Sequence, residues 1–192
     1  ATEVLIAEVK VASEAAQIEQ EAAAIEQAAT EEIAAKAAAC KATADGELAE
    51  ALPAMEAAKE AVNCLTKPWI QELKGLGSPP PECAEVTAAV AFLLHNEKKK
   101  IDWKASQKMM NNPGQFLDEI LGFDAENIPE ETMAKVEPFV NEPFFNFEVM
   151  KGKSKAAAYL CSWVVNIVIF NKIFKKVKPL MIQVEEATAE KE

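Results

Sequence analysis

The first third of the chain carries apolar residues at alternating steps of three and four, which is the spacing of a coiled-coil seam. Between residues 1 and 65 only Gly46 and Pro53 interrupt residues that favour helix, so the pattern predicts one long helix. The seam positions are Val4, Val11, Ala15, Ile18, Ala22, Ile25, Ala29, Ala44, Leu48, Ala51, Met55, Ala58, Val62 and Leu65. Ile33 and Cys40 come one residue late, and such a phase slip weakens a coiled coil locally and blurs its register.

A second seam, without a phase break, lies near the other end of the chain. Its positions are Trp163, Ile167, Phe170, Phe174, Val177, Met181 and Val184. Two seams separated by roughly a hundred residues of different composition predict an antiparallel hairpin with a domain at its turn. We expect a first arm over residues 1–66, a helical head over 67–164 and a second arm over 165–192. Because the second arm is shorter, residues before Ala38 are expected to lack a partner within the chain.

Between the two arms, proline, glycine and asparagine divide the sequence into short helices. We predict helices at about 68–76, 84–95, 102–110, 114–121, 129–140 and from 146 onward, the last continuing into the second arm. The expected core of the head is Val86, Val90, Leu93, Leu94, Trp103, Phe116, Ile120, Phe139 and Phe147. No stretch alternates long enough to predict a strand. The predicted fold is all-α: an antiparallel two-helix coiled coil capped by a small bundle of about six short helices.

Charge is distributed in blocks that the net value of −11 conceals. Residues 1–65 carry 13 acids against 4 lysines, and residues 118–148 carry 9 acids against Lys135. Residues 149–184 carry 7 lysines and no acid, which the solubility of the chain alone does not require. All 20 basic residues are lysines, so cationic contacts are expected to be diffuse and salt-sensitive.

The lysines collect near the ends of three predicted helices of the head. They are Lys67 and Lys74, then Lys98, Lys99, Lys100, Lys104 and Lys108, and finally Lys151, Lys153 and Lys155. A basic face suits an acidic partner: nucleic acid, an anionic membrane or an acidic filament. The lack of arginine, and of exposed aromatics interleaved with the lysines apart from Trp69 and Tyr159, argues against nucleic acid. The most apolar run, Ala156 to Phe170, is shorter than a bilayer crossing of about 20 residues and predicts a buried helix, with no membrane partner.

Motifs for catalysis, cofactors or metals are absent from the sequence. The four cysteines are scattered without a CxxC pair, and His95, the one histidine, is expected to be a helix-terminal or packing residue. We therefore predict no catalytic residue, no cofactor and no metal, and free thiols in a reducing compartment. The chain opens at Ala1 without a leader pattern, which predicts a piece cut from a longer polypeptide.

Several motifs between Leu52 and Leu180 resemble the stalk head of dynein heavy chains. Quoted in order they are Leu52-Pro53-Ala54-Met55-Glu56-Ala57-Ala58, Ile70-Gln71-Glu72-Leu73-Lys74, Ser78-Pro79-Pro80, Asp102-Trp103-Lys104, Phe116-Leu117, Asn127-Ile128-Pro129, Asn141-Glu142-Pro143 with Phe147, Ser154-Lys155-Ala156-Ala157 and Cys161-Ser162-Trp163. The resemblance implies a six-helix head whose first, third and sixth helices bind the microtubule between α- and β-tubulin. Carried over, the microtubule-binding residues are Lys67, Glu72, Lys74, Lys104, Lys108, Lys151, Lys153 and Lys155.

The resemblance also implies that the head is non-catalytic and is controlled from outside. The ATPase ring of the parent motor lies at the far end of the stalk, and sliding of the two arms by about half a heptad sets the affinity. The chain is most similar to the axonemal, outer-arm-like branch. This similarity implies a place in the cytoplasmic cytoskeleton of a cilium or flagellum, and a leucine-rich-repeat light chain as a second partner on the acidic 118–148 block. The chain departs from the family at Gln107 and Gly152, where basic residues are expected, and at Pro68-Trp69, which replaces a more polar pair.

Two alternatives from other functional classes follow from the residues alone. One is an RNA-binding helical arm, in which the lysines meet phosphates. The other is a scaffold coiled coil whose head docks a protein and whose lysines serve only solubility. Weak salt dependence of binding would favour the scaffold, because attraction between exposed charges is screened by salt.

Overall fold

A computed structural model of the chain describes residues 2–189. Eight helices and no strand occur within that range. Their bounds are α1 Thr2–Cys64, α2 Lys67–Lys74, α3 Pro81–His95, α4 Trp103–Met109, α5 Pro113–Leu121, α6 Glu130–Val140, α7 Phe147–Lys151 and α8 Lys155–Ala189. The all-α prediction is confirmed, with two long helices and six short ones between them.

The chain divides into two compact units, of which the larger, Gly46–Val177, contains the predicted head over 67–164 together with the inner parts of both predicted arms. We call this larger unit the head from here on. Its core lies where the inner parts of α1 and α8 meet the short helices. The largest fully buried side chains include Trp163, Phe116, Ile70, Leu73, Met110, Met150 and Leu160. Helix α3 packs against α4 and α6, and α2 packs against α5.

Polar caps and prolines set the starts of the short helices, as the sequence punctuation predicts. The side chains of Thr66, Asp102, Asn112 and Asn146 each accept a hydrogen bond from the backbone N–H three residues later. These bonds satisfy N–H groups that the first turn of a helix leaves without partners. Helix α3 ends at His95, as expected for a helix-terminal histidine, and Asn96 follows in the left-handed conformation with φ of 47°.

Of the predicted core residues, five are buried and four lie at its edge. Val86, Val90, Leu93, Phe116 and Ile120 are buried. Leu94, Trp103, Phe139 and Phe147 are only partly buried and pack against the core. Trp103 stays near the surface because its indole N–H donates to the Leu76 carbonyl at 2.9 Å, so one edge of the ring contacts the loop that follows α2.

The prediction of one helix from residue 146 into the second arm is wrong. A short helix, α7, ends at Lys151, and α8 begins only at Lys155. Two backbone N–H groups, of Lys153 and Ser154, donate to the Met150 carbonyl and close a turn there. The hydroxyl of Ser154 then accepts from the Ala157 N–H at 3.3 Å and starts α8 anew.

The smaller unit consists of residues 2–45 of α1 and residues 178–189 of α8. The thiol of Cys40 lies 3.6 Å from the amide oxygen of Gln183, so the two helices touch at this level. Small residues dominate the α1 side of the contact, where Ala44 is buried and Ala37 and Cys40 are half-buried. Before them, the seam residues Val4, Val11, Ile18 and Ile25 are 61–71% exposed, so no other helix of residues 2–189 covers the seam there, as the shorter second arm led us to expect. The contact begins slightly earlier than expected, since Ala37 is already half-buried.

The second seam matches its predicted positions except at Met181. The five seam residues from Trp163 to Val177 are buried and Val184 is half-buried, whereas Met181 is 39% exposed and Leu180 is half-buried in its place. The exception follows Pro179, which lies inside α8 and lacks the N–H that a helix interior requires. A proline at this point gives a physical reason for the local shift.

Helix α8 is the one helix in residues 2–189 whose length and composition would suit a membrane span. However, 61% of its most apolar window is buried inside the protein. The prediction that Ala156 to Phe170 forms a buried helix is therefore confirmed, because these side chains already have protein neighbours.

Candidate functional site

Three lysine-bearing segments of the head come from parts of the chain far apart in sequence. They are α2 with Lys67 and Lys74, α4 with Lys104 and Lys108, and the region of α7 and the start of α8 with Lys151, Lys153 and Lys155. All of these lysines are exposed except Lys74, which is half-buried, and Glu72 on α2 is also exposed. Whether they form one surface depends on the contacts between their helices.

Helix α2 is joined to α4 and α5 at its C-terminal end. The Lys74 ammonium donates to the side-chain oxygen of Asn111 at 2.8 Å, which holds this lysine beside the α4–α5 connection. In return, the Gln107 amide donates to the Lys74 carbonyl at 2.8 Å and to the Leu76 carbonyl at 3.4 Å. Trp103 also donates to Leu76. Residues of α4 therefore satisfy carbonyls that the end of α2 would otherwise leave without partners.

Gln107 has a role that the sequence did not reveal. The resemblance marked it only as a place where a basic residue was expected. In the structure its amide caps α2 and fixes α4 against it. The spacing of Trp103 and Gln107 by four residues puts both donors on one face of α4, but their acceptors lie outside α4 and were not predictable.

At its other end, α2 lies beside the first turn of α5. A side-chain Cβ built at Gly114 would stand 3.4 Å from the Lys67 ammonium nitrogen, so the lysine approaches the α5 backbone closely. Glycine at this position leaves room for the approach. Together with the Lys74 contact, this places both lysines of α2 next to α5 and its connection to α4.

Helix α2 is joined to α8 by aromatic contacts. The rings of Trp69 and Tyr159 are stacked, with centroids 5.8 Å apart and planes 7° apart. The Lys155 ammonium lies 5.5 Å from the centroid of Trp69. Phe147 of α7 packs against Tyr159 at 5.1 Å. The elements that carry Lys67, Lys151 and Lys155 are thus in contact with one another.

Lys153 differs from its neighbours because it is already paired within the head. Its ammonium lies 3.1 Å from the carboxylate of Glu82, and its side chain is 33% exposed. A hydrogen bond with the backbone of Glu82 itself, and then the one with Lys153, hold the pKa of Glu82 below its usual 4.5. This lysine links the start of α8 to α3 and has less freedom for an outside partner than Lys151 or Lys155.

Lys108 lines a second feature, a cleft of about 630 Å³ between the end of α3 and helices α4 and α5. His95 and Glu119 line the same cleft, with 3.9 Å between the His95 Nε2 and a Glu119 carboxylate oxygen. Lys100 instead lines a groove between α3 and α6 together with Phe139. The 98–100 lysines therefore do not all join the group that α2, α4 and α8 carry.

The chemistry of these groups is that of charge recognition. Within residues 2–189, no group of three or more His, Cys, Asp or Glu side chains is arranged to hold a metal ion. All four cysteines are free thiols. Burial raises the pKa of Cys83, and it raises the pKa of Cys161 to about 12, so neither thiol is activated.

Comparisons with known proteins agree on one family. The family profile described as "Microtubule-binding stalk of dynein motor" matches residues 2–192. The ciliary dynein beta chain of Tripneustes gratilla is 45% identical over 147 residues, and the human dynein axonemal heavy chain 17 is 43% identical over 147 residues. Each alignment covers 75% of this chain and 3% of the relative, so the chain spans a small part of those proteins.

A solved structure gives the same answer from its geometry. The chain is similar to the structure titled "Microtubule Binding Domain of DYNEIN-C", with a TM-score of 0.60 and 36% sequence identity. The match covers 71% of this chain and 94% of that one.

Proposed function

The chain belongs to the family of microtubule-binding stalks of dynein motors, and from this premise we propose that a lysine-rich face of its head makes the microtubule contact. The proposed residues are Lys67, Glu72, Lys74, Lys104, Lys108, Lys151, Lys153 and Lys155. Hydrogen bonds from α4 to α2, and the aromatic contact of α2 with α8, support one continuous face. The family match favours this function over the RNA-binding arm and the scaffold.

The observation that carries the proposal is the joining of the three lysine-bearing segments through α2. Lysine is a compact, strongly hydrated point charge, so several lysines on a rigid support attract an acidic filament without needing fixed fork geometry. Within the group, we assign Lys153 a supporting role because Glu82 already pairs with it. The exposed Lys151 and Lys155 on either side are the direct contacts.

Charge-reversal variants test this face. Lys155→Glu should weaken co-sedimentation with microtubules at least about threefold, because it removes one attraction and adds one repulsion. Lys74→Glu should do the same and also lose its bond to Asn111. The matched control is Lys176→Glu, which makes the same charge change at an exposed position of α8 outside the face. Helicity should be unchanged in all three. Equal weakening by Lys155→Glu and Lys176→Glu would refute the assigned face and leave only a general charge effect.

We further propose that the register of α1 against α8 sets the affinity. Small side chains at the α1 contact, Ala37, Cys40 and Ala44, make shallow knobs, and shallow knobs separate neighbouring registers by low barriers. The parent protein in this proposal is an ATPase motor heavy chain whose ring acts on the stalk from its far end. The chain itself contributes binding and no catalysis.

The site of action in this proposal is the axoneme of a cilium or flagellum. It rests on the names of the relatives, which are ciliary and axonemal heavy chains. A leucine-rich-repeat light chain is the proposed second partner, on the acidic 118–148 segment, where Glu130 and Glu131 are exposed at the start of α6. In gel filtration, a purified light chain of this type should co-elute with the protein and should no longer do so when both glutamates are changed to lysine. If the two did not co-elute even at low salt, the light chain would be refuted as a partner.

A further inference from the structure

Trp69 lies where α2 meets the first turns of α8. Lys155 and Tyr159 are four residues apart on α8 and so lie on one face of that helix. Both contact the indole of Trp69: the ammonium of Lys155 at 5.5 Å from its centroid, and the ring of Tyr159 at 5.8 Å in a near-parallel stack. One aromatic side chain of α2 therefore meets both a lysine of the proposed face and the helix that carries it.

The backbone that carries Trp69 is held by its own helix. The side-chain oxygen of Thr66 accepts a hydrogen bond from the backbone N–H of Trp69 at 3.4 Å, and Pro68 fixes the backbone of the first turn. The next residue, Ile70, is completely buried, so it fixes the rotation of α2 about its axis. Trp69 therefore projects from a fixed backbone and stacks on Tyr159, which makes its ring a platform for the exposed side chain of Lys155.

We propose that Trp69 is a positioning residue of the microtubule contact, which holds the Lys155 ammonium in place. This proposal rests on the proposed lysine face. A cation over the face of an indole is attracted by the ring while its N–H groups can still donate to another partner. A lysine that is already restrained loses less rotamer freedom on binding. Trp69, which follows Pro68 in the first turn of α2, supplies this platform.

A double-mutant cycle separates positioning from ordinary packing. Trp69→Leu should weaken microtubule co-sedimentation about two- to fivefold, the range for an exposed cation–π contact. In a Lys155→Gln background the same change should have little further effect, because the restrained ammonium is gone. Trp69→Phe keeps an aromatic face with weaker attraction and should restore part of the affinity. The matched control is a second cycle that combines Trp69→Leu with Lys151→Gln, a change at another exposed lysine of the face. Because the cation over the Trp69 ring is Lys155, the losses of affinity from Trp69→Leu and Lys151→Gln should multiply.

A measurement on the free protein tests the geometry without microtubules. The side-chain methylene protons of Lys155 should show an upfield ring-current shift in the NMR spectrum that Trp69→Leu removes and Trp69→Phe partly keeps. Loss of affinity in Trp69→Leu that multiplies with that of Lys155→Gln would overturn the positioning role, as would an absent ring-current shift. If the unsubstituted protein showed the ring-current shift but bound no microtubules, the proposed lysine face would be refuted. The positioning role of Trp69 would be refuted with it, although the contact between Trp69 and Lys155 would still be present.

Discussion

Replacing Gln107 with methionine should destabilise the head, although the residue is only half-buried and lies on a seven-residue helix. Methionine keeps the length and volume of glutamine but cannot donate a hydrogen bond. The change removes the 2.8 Å bond to the Lys74 carbonyl and the longer one to Leu76. One net hydrogen bond contributes about 1 kcal/mol, and a carbonyl left without a donor adds to the loss unless water replaces the amide. Leu76 still has the Trp103 donor, so we expect a total of about 1–2 kcal/mol.

Urea unfolding followed by circular dichroism measures this loss as a lower midpoint at unchanged slope. The expected loss corresponds to a fall in Tm of roughly 2–8 °C for a chain of this size. Gln115→Met is the matched control, because Gln115 is exposed and its side-chain amide donates only to Glu119 on its own helix. Its effect should stay within about 0.5 kcal/mol. If Gln107→Met were as mild as the control, α2 would not depend on α4 for its cap, and that support for a continuous face would be lost.

Three further outcomes follow from single sites. The pKa of Glu82 is below 4.5 in the folded protein, so the stability that this carboxylate adds is present above pH 4.5 and is lost as the pH falls through the lower folded-state pKa. The variant Glu82→Gln should therefore show a smaller fall in its urea midpoint on acidification. A fall as steep as that of the unsubstituted protein would contradict this. Burial raises the pKa of Cys161 to about 12, so a thiol reagent at pH 8 should label Cys40 well before Cys161, and equal rates would show that the core opens readily. Trp163→Ala should cost about 3–5 kcal/mol in urea unfolding, and a loss below about 1 kcal/mol would contradict its central place in the core.

Short-range sequence patterns predicted most of the helices and the buried side of α1 and α8 within the head. Heptad spacing located the buried face of α8 from Trp163 to Phe174, because these seam residues pack against the same core, and it also located the buried Val177. Helix starts were visible as a polar cap followed by proline, as at Asn112 and Pro113. The resemblance supplied the lysine set, and the structure supplies the contacts that join its members.

Features that depend on contacts between distant segments were not visible in the sequence. The acceptors of the Gln107 amide lie 31 and 33 residues away in the chain, so its capping role has no local signature. The pairing of Trp69 with Lys155 joins two helices separated by most of the head. The break before α8 could have been recognised, since Gly152 and Ser154 are respectively a helix-ending and a helix-capping residue type.

The most direct test of a lysine-driven, register-controlled contact is microtubule co-sedimentation across a salt series with the arms locked in two registers. Cys40 already touches Gln183, so Gln183→Cys provides one cross-link, and Ala187→Cys, four residues further on, provides a register displaced by about half a heptad. Cys64→Ser removes the other half-exposed thiol from both proteins. We expect the two cross-linked forms to differ in affinity and both to release microtubules as salt rises. Equal binding in the two registers, or binding that salt leaves unchanged, would contradict the account.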